Sequence, residues 1–114
     1  ITDKNGKLVL VAGSMGGSTI IASVSRIIIG VLDWKPTPQE AVATPAIFAR
    51  TPEIAFEAAR LPSEISEALR ALGWRMTPDA LYSGSHMIQV TPQGLRGGAD
   101  PREEGKAVAL PAAR

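Results

Sequence analysis

The stretch Leu8-Val-Leu-Val-Ala-Gly-Ser-Met-Gly-Gly-Ser-Thr-Ile-Ile21 decides the fold of this chain. It opens with a compact apolar run, residues 8–12, of the kind that a buried strand uses. Three glycines and two hydroxyl residues follow: Gly13, Gly16, Gly17, Ser18 and Thr19. The stretch therefore predicts a strand over residues 7–11 that ends in a glycine turn.

Beyond the turn, apolar residues recur at the spacing of one helix face. They are Ile20, Ile21, Val24, Ile27, Ile28 and Val31. This periodicity predicts a helix over residues 18–32. Since the first N–H groups of a helix have no partner within it, the glycine turn is expected to hold negative charge. That charge is either a phosphate or an oxyanion that develops during a reaction.

The two common phosphate motifs do not fit this turn. A Walker loop needs a lysine directly before its Ser or Thr, and Gly17 stands at that place. A dinucleotide-binding turn needs Gly-x-Gly-x-x-Gly, which residues 13–17 do not supply. The turn is therefore predicted to bind an anion without carrying a known nucleotide motif.

The composition is typical of a globular protein. Of the 114 residues, 45% are hydrophobic and 20% are charged, and the net charge is +1. A chain of this length is one domain at most and buries about 65% of its unfolded surface. The small net charge gives no reason to expect nucleic acid or a membrane surface as a partner. Ser23, Ser25 and Arg26 interrupt the longest apolar stretch, so no membrane span is predicted.

The absence of cysteine removes disulfides and thiolate metal sites, but it leaves the cellular compartment undecided. No metal site and no cofactor are predicted. At the N-terminus, Asn5-Gly6 predicts a hairpin turn. Because the chain begins inside that hairpin, residues 1–114 are predicted to be a single domain or a fragment of a larger one.

The rest of the chain mixes helix and strand signals, which predicts an α+β fold. Thr37-Pro-Gln-Glu40 has the form of a capping box that starts a short helix, stopped by Pro45. A second clear helix is predicted over residues 63–72, where Pro62 precedes it and Gly73 ends it. Three strands are predicted, at residues 86–90, 95–97 and 107–110, with a loop at 77–85 and a frayed end at 111–114. Residues 47–59 are ambiguous between strand and short helix.

Four segments of this chain resemble the gamma-glutamyltranspeptidase family. The segment Val11-Ala-Gly-Ser-Met-Gly-Gly-Ser-Thr-Ile20 is similar to the family's Gly-Ser-x-Gly-Gly-Ser turn. Gln39-Glu-Ala-Val-Ala-Thr-Pro45 is similar to its Glu-Ala-x-x-x-Pro segment, and Leu69-Arg-Ala-Leu-Gly73 to its Leu-x-x-x-Gly helix. Gly98-Ala-Asp-Pro-Arg102 resembles its Asp-Pro-Arg loop. The resemblance covers nearly the whole chain and points to the C-terminal part of the small, catalytic subunit.

The resemblance implies a fold and a reaction. Family members are N-terminal-nucleophile hydrolases with a four-layer αββα sandwich, and they cleave themselves to expose a threonine. That threonine attacks gamma-glutamyl amides such as glutathione, and the acyl group then passes to water or to an amino acid. No threonine of this chain stands in the family's Thr-Thr-His context, so the nucleophile and the residues that grip the glutamyl group are expected upstream of Ile1. The chain alone is expected to be inactive.

The resemblance also implies site residues and partners. Gly16 and Gly17 are expected to form the oxyanion hole, and Gly17 and Ser18 to contact a gamma-glutamyl small-molecule substrate. The expected protein partners are the remainder of the small subunit and the large subunit, and an isolated fragment is expected to associate with itself. A bacterial member is expected in the periplasm or secreted, although a cytoplasmic location stays open.

Two alternatives remain open from the residues themselves. One is an anion- or nucleotide-binding module built on Gly13 to Thr19, and the other is a structural or interaction fragment whose turn binds nothing. Asp100 and Arg102 are interpreted as an ion pair that closes a loop, and His86 as a strand residue without a catalytic role. Glu103, Glu104 and the scattered arginines are expected on a solvated face. The two tryptophans, Trp34 and Trp74, are expected to pack.

Overall fold

The structure, a computed structural model, describes residues 1–50 and 52–110. Its α-helices are α1 (Ile20–Ile29), α2 (Pro38–Ala43) and α3 (Ser63–Ala71). Its strands are β1 (Leu10–Gly13), β2 (Ile47–Arg50), β3 (Glu53–Phe56), β4 (Arg75–Pro78), β5 (His86–Thr91) and β6 (Gly94–Ala99). Helices and strands occur together in one chain, so the predicted α+β class is confirmed.

The strands form two three-stranded sheets. The first has the order β1-β5-β6 and is antiparallel throughout, with Leu10 opposite Gln89. The second has the order β2-β3-β4. Its β2 and β3 form an antiparallel pair, whereas β3 and β4 run parallel because α3 connects them as a crossover. The first sheet therefore joins the two ends of the chain, and the second is built from consecutive segments.

Helices α1 and α2 pack on the first sheet. The buried residues of this core are Leu10, Ile27, Val31, Ala41, Val42 and Met87. Strand β6 lies very close to α2, since a Cβ added to Gly98 would stand 2.5 Å from the carbonyl of Pro38. Glycine is required there because any side chain would push α2 off the sheet.

Helix α3 covers the second sheet. Ile54, Phe56, Leu61 and Met76 form its buried cluster. A third small cluster, of Ala46, Phe48 and Leu81, has Ala22 of α1 packed against it. This third cluster connects the second sheet to the helix that follows the glycine turn.

The predicted helix over residues 18–32 is confirmed as a continuous helical stretch. It starts as a 3₁₀ turn at Gly17–Thr19, continues through α1 and ends as a π-helical turn at Gly30–Trp34. By length and composition alone, Gly17–Trp34 is apolar enough to cross a membrane. In this structure its residues Ile27 and Val31 are buried against the first sheet. The sequence expectation of no membrane span stays a prediction.

Other local predictions are also confirmed. Thr2 and Leu8 form a bridge across the Asn5-Gly6 turn. The capping box of α2 is complete, because the Glu40 N–H donates to Thr37 Oγ1 at 3.3 Å and the Thr37 N–H donates to Glu40 Oε2 at 2.7 Å. The helix predicted over residues 63–72 is observed as α3. The strand predicted over residues 7–11 is observed about two residues later, as β1.

Several expectations were wrong. Residues 107–110 form no strand; Val108 and Leu110 are 74% and 86% exposed, and no strand of the described residues pairs with them. Strand β4 runs to Pro78, inside the predicted loop. Trp34 and Trp74 do not pack, being 70% and 49% exposed. The ambiguous residues 47–59 contain strands β2 and β3, while the frayed end expected at 111–114 lies outside the described residues.

Candidate active site

The glycine turn between β1 and α1 has backbone angles that favour glycine. Gly16 has a φ of 118° and Gly17 a φ of 61°, both in the region that residues with a side chain rarely adopt. A Cβ on Gly16 would also stand 2.6 Å from Thr19 Oγ1. The turn is closed by Thr19, whose N–H and Oγ1 both donate to the Gly16 carbonyl, at 3.3 and 2.9 Å.

The Gly16 and Gly17 amides of this turn are available to a ligand. Gly16, Gly17 and Ser18 are all exposed. Among the residues that the structure describes, no hydrogen bond uses the N–H of Gly16 or of Gly17 as its donor. Both amides lie where the helical stretch begins, so the positive end of its dipole adds to their field. The arrangement is suited to an oxygen atom that carries or gains negative charge.

The residues just before the turn are held by a loop from the far side of the chain. The Ser83 carbonyl accepts hydrogen bonds from the Met15 N–H, at 3.1 Å, and from Ser14 Oγ. Ser85 Oγ donates to Ser14 Oγ at 3.2 Å. Gly84 lies against the Met15 side chain, since a Cβ added there would stand 2.6 Å from Met15 Cγ. The entry to the glycine turn is therefore fixed by residues 83–85.

That loop is held in turn by Asp100, whose side chain is fully buried. Asp100 Oδ2 accepts hydrogen bonds from Ser83 Oγ and from the Ser85 N–H, the latter at 3.3 Å. The Asp100 N–H donates to the Ser85 carbonyl at 2.9 Å. The two segments that carry the strongest sequence resemblance, the glycine turn and the Asp-Pro-Arg loop, are thus joined through Ser83 and Ser85.

Arg102 extends this network to the second sheet. Its Nη1 donates to Asp100 Oδ1 at 2.8 Å, which confirms the predicted ion pair. Its Nε and Nη2 donate to the two carboxylate oxygens of Glu57, at 3.0 and 2.5 Å. Its two terminal nitrogens also donate to the carbonyls of Val42 and Thr44, at 3.2 and 2.9 Å. A single guanidinium therefore connects the end of β6, the end of α2 and the residue after β3.

The charges in this network stabilise one another. Burial raises the pKa of Asp100, but hydrogen bonds from Ser83, Arg102 and Ser85 outweigh it, so this pKa lies below its ordinary value. For Glu57, burial also raises the pKa, and the hydrogen bond from Arg102 with the positive charges of Arg102 and Arg60 brings it below the usual range. Both carboxylates are therefore ionised at neutral pH.

The expectation that the scattered arginines lie on a solvated face is wrong for Arg26, part of whose guanidinium is buried. Its Nη1 donates to the Thr44 carbonyl at 2.8 Å, the same carbonyl that Arg102 contacts. Burial, followed by the nearby charge of Arg102, lowers the pKa of Arg26. Its Nε and Nη2 are buried and have no hydrogen-bond partner in the described part of the chain. Glu104 does lie on the exposed face as expected.

Sequence reasoning missed Ser83, Ser85, Glu57 and Arg26 as parts of the site. In the sequence, Ser83 and Ser85 contribute only to the loop-like composition of residues 77–85. Glu57 is only one polar residue of a segment that was ambiguous between strand and helix. His86 lies at the start of β5 with its Nδ1 3.0 Å from the Gly84 carbonyl. No group of three or more His, Cys, Asp or Glu side chains within 1–50 and 52–110 is placed to hold a metal ion.

Comparison with known proteins finds relatives in both sequence and fold. The sequence profile described as gamma-glutamyltranspeptidase matches residues 1–110. The glutathione hydrolase proenzyme of Pseudomonas aeruginosa is 28% identical over an alignment 110 residues long, which covers 92% of this chain and 20% of that protein.

Two solved structures are similar in fold and sequence. An acivicin-inhibited gamma-glutamyltranspeptidase is 32% identical with a TM-score of 0.82, over 92% of this chain and 59% of that chain. A variant of the Helicobacter pylori gamma-glutamyltranspeptidase is 30% identical with a TM-score of 0.81, over 90% and 59%. This chain spans about a fifth of the curated relative and about three fifths of the solved chains. Since the family profile covers nearly all of it, the chain belongs to the gamma-glutamyltranspeptidase family.

Proposed function

We propose that this chain is part of a gamma-glutamyltransferase or glutathione hydrolase and supplies its oxyanion hole. The observation that carries the proposal is the pair of exposed amides at Gly16 and Gly17, which donate to no acceptor in the described residues. They lie at the start of a helical stretch, in a turn that only glycine adopts readily. Ser18, exposed next to them, is proposed with Gly17 to contact the substrate.

In the proposed reaction, a threonine from outside these 114 residues attacks the carbonyl carbon of a gamma-glutamyl amide. The carbonyl oxygen gains negative charge as the new carbon–oxygen bond forms, and the two N–H groups stabilise it. Donors already in position stabilise the transition state more than the ground state, which lowers the barrier. The amine then leaves, and water or an amino acid takes the glutamyl group from the threonine.

The proposed partners are the rest of the small subunit and the large subunit. Support comes from apolar side chains that this chain leaves uncovered on its helical stretch, including Ile21 at 79% and Trp34 at 70% exposure. Such surfaces seek a covering partner. We therefore propose that residues 1–114 are a domain fragment that is inactive alone and, when isolated, associates with itself.

The test is the variant Gly17→Val in the intact enzyme. A valine at a φ of 61° must change the backbone, which moves the Gly17 N–H away from the developing oxyanion. We expect kcat to fall by about 10²–10³, the usual cost of losing one oxyanion donor. Stability should change less, because among the described residues no heavy atom beyond the adjacent residues lies within 4 Å of a Cβ at this position.

Gly73→Val is the matched control. Gly73 follows α3, has a φ of 91° and likewise has no atom within 4 Å of an added Cβ. It therefore suffers the same kind of backbone strain away from the turn, and its kcat should stay at the wild-type value. If Gly17→Val keeps kcat within a few-fold of Gly73→Val while both proteins stay folded, the turn is a packing device and the assignment is wrong.

A further inference from the structure

Beyond the two glycines, a path of hydrogen bonds leads from the turn into the protein interior. It begins at the Met15 N–H and Ser14 Oγ, which share the Ser83 carbonyl as acceptor. It continues from Ser83 Oγ to Asp100 Oδ2. Asp100 is held in turn by Arg102, whose backbone N–H and Nη1 both donate to Oδ1, at 3.0 and 2.8 Å. Every step of this path is a direct contact.

Ser83 is the central residue of the path. Its hydroxyl and its carbonyl face opposite partners, a carboxylate on one side and the entry to the turn on the other. Ser83, Ser85 and Asp100 are all fully buried, so solvent offers no replacement for a lost partner. Because a hydrogen bond to an ionised group is strong and directional, Asp100 restrains the loop of residues 83–85 at two points, the Ser83 hydroxyl and the Ser85 N–H.

The exit of the turn is fixed separately. Thr19 donates from its N–H and Oγ1 to the Gly16 carbonyl, and both donors belong to the turn itself. The Gly16 N–H, however, belongs to the peptide that joins Met15 to Gly16, whose carbonyl accepts a hydrogen bond from Ser14 Oγ at 3.1 Å. Ser14 Oγ also donates to the Ser83 carbonyl, and so does the Met15 N–H of the preceding peptide. The orientation of the Gly16 N–H therefore depends on the position of Ser83.

We propose that Ser83 and Asp100 are positioning residues for the oxyanion hole: Asp100 holds Ser83, and Ser83, through Ser14 and Met15, sets the orientation of the Gly16 amide. The inference rests on the proposed function of these glycines. Neither Ser83 nor Asp100 touches the substrate in this role. Their contribution is to keep the Gly16 donor within the narrow geometry that transition-state stabilisation requires, where a shift of about 1 Å can cost about 10²-fold in rate.

The experiment is a double-mutant cycle on the intact, processed enzyme with Ser83→Ala and Gly17→Val. If Ser83 acts through the turn, Ser83→Ala lowers kcat by about 10- to 100-fold and leaves KM nearly unchanged, since the misplaced donor matters in the transition state. In the Gly17→Val background, where the hole is already lost, Ser83→Ala should change kcat by less than about threefold. A role in stability alone would give no such split between kcat and KM.

Ser66→Ala is the matched control. Ser66 is 5% exposed, and its Oγ donates to a backbone carbonyl, that of Ser63, at 2.9 Å within α3. It loses a similar buried hydrogen bond outside the path, so kcat should stay at the wild-type value. If Ser83→Ala does not fold, Ser14→Ala removes the turn's own contact with the Ser83 carbonyl at a half-buried position and should lower kcat in the same direction.

The outcomes separate the two proposals. If Gly17→Val loses kcat while Ser83→Ala and Ser14→Ala keep it, the oxyanion hole stands and the positioning role is overturned. Additive losses in the double variant also overturn it, because they show that Ser83 acts independently of the turn. If Gly17→Val itself retains kcat, the proposed function fails, and the positioning role fails with it. Only a kcat loss that disappears in the Gly17→Val background supports the inference.

Discussion

Replacing Arg102 by methionine should cost the protein a large part of its stability. The Arg102 side chain is 5% exposed and makes the ion pairs to Asp100 and Glu57, whose side chains are 0% and 12% exposed. Methionine fills a similar volume but offers no donor, so the buried Asp100 loses its ion-pair partner and Glu57 keeps only the half-exposed Arg60. Breaking a buried ion pair from one side typically costs about 3–5 kcal/mol. We expect a loss of that size in the free energy of unfolding at pH 7.

The loss should shrink in acid. The pKa of Asp100 and the pKa of Glu57 both lie below their ordinary values, so their stabilising contribution is complete above about pH 5 and is lost as pH falls through the folded-state values. Near pH 3 the wild-type protein therefore loses stability that the Arg102→Met protein lacks at every pH, and the difference between the two free energies of unfolding becomes smaller. Urea denaturation followed by circular dichroism at both pH values measures the two differences.

Arg75→Met is the control for a charge removed at the surface. Arg75 and Glu53 lie 3.7 Å apart, and their side chains are 64% and 54% exposed. Exposed pairs of this kind contribute about 0–1 kcal/mol. Should Arg102→Met cost no more than Arg75→Met, or should its cost stay constant between pH 7 and pH 3, the buried network does not stabilise the fold as described.

Two further substitutions check the packing around the first sheet. Ile27→Ala should lower the free energy of unfolding by about 2–5 kcal/mol because Ile27 is fully buried. Ile21 is 79% exposed on the same helix, so Ile21→Ala should change this free energy by less than about 0.5 kcal/mol. Equal urea midpoints for the two variants would contradict the described core. Gly98→Ala should lower the melting temperature by several degrees, since its Cβ would stand 2.5 Å from Pro38. In the control Gly13→Ala, the added Cβ has no contact within 4 Å in the described residues, so its melting temperature should equal that of the wild type. A wild-type melting temperature for Gly98→Ala would show that α2 can move away from β6.

The sequence was sufficient for elements whose signal is local. The apolar period of residues 20–31 and the Thr37–Glu40 capping box each depend on neighbours within one or two helical turns, and both were predicted correctly. The run 107–110 is also apolar, but a strand needs a second strand to pair with. Among the described strands none pairs with this run, and the run's own sequence cannot reveal that. Local hydrophobicity therefore predicts helices more safely than edge strands.

The site was predictable only in part, for a similar reason. The glycines were recognisable because three of them occur within five residues. Ser83, by contrast, acts through contacts with residues far away in the chain and looks like an ordinary loop residue by itself. Asp100 was recognised in the Asp-Pro-Arg loop, but only as the ion-pair partner of Arg102. Arg26 stands on the polar side of a helical pattern, where arginine is usually solvated. Its burial follows from the packing of α2 beside it, which no helical period reveals.

The pairing of β1 with β5 also sets an order of folding during synthesis. The second sheet is formed by residues 47–78 alone. Leu10 and Met15, by contrast, cannot make their contacts until Gln89 and Ser83 have been synthesised. Contacts so distant in sequence form late, because a long loop must close before they stabilise anything. On the ribosome, the β2–β4 sheet can thus assemble while the glycine turn is still without its anchors. The glycine turn is therefore among the last features of these residues to form, and a delay in closing β1 against β5 would produce a largely folded protein whose proposed oxyanion hole is incomplete.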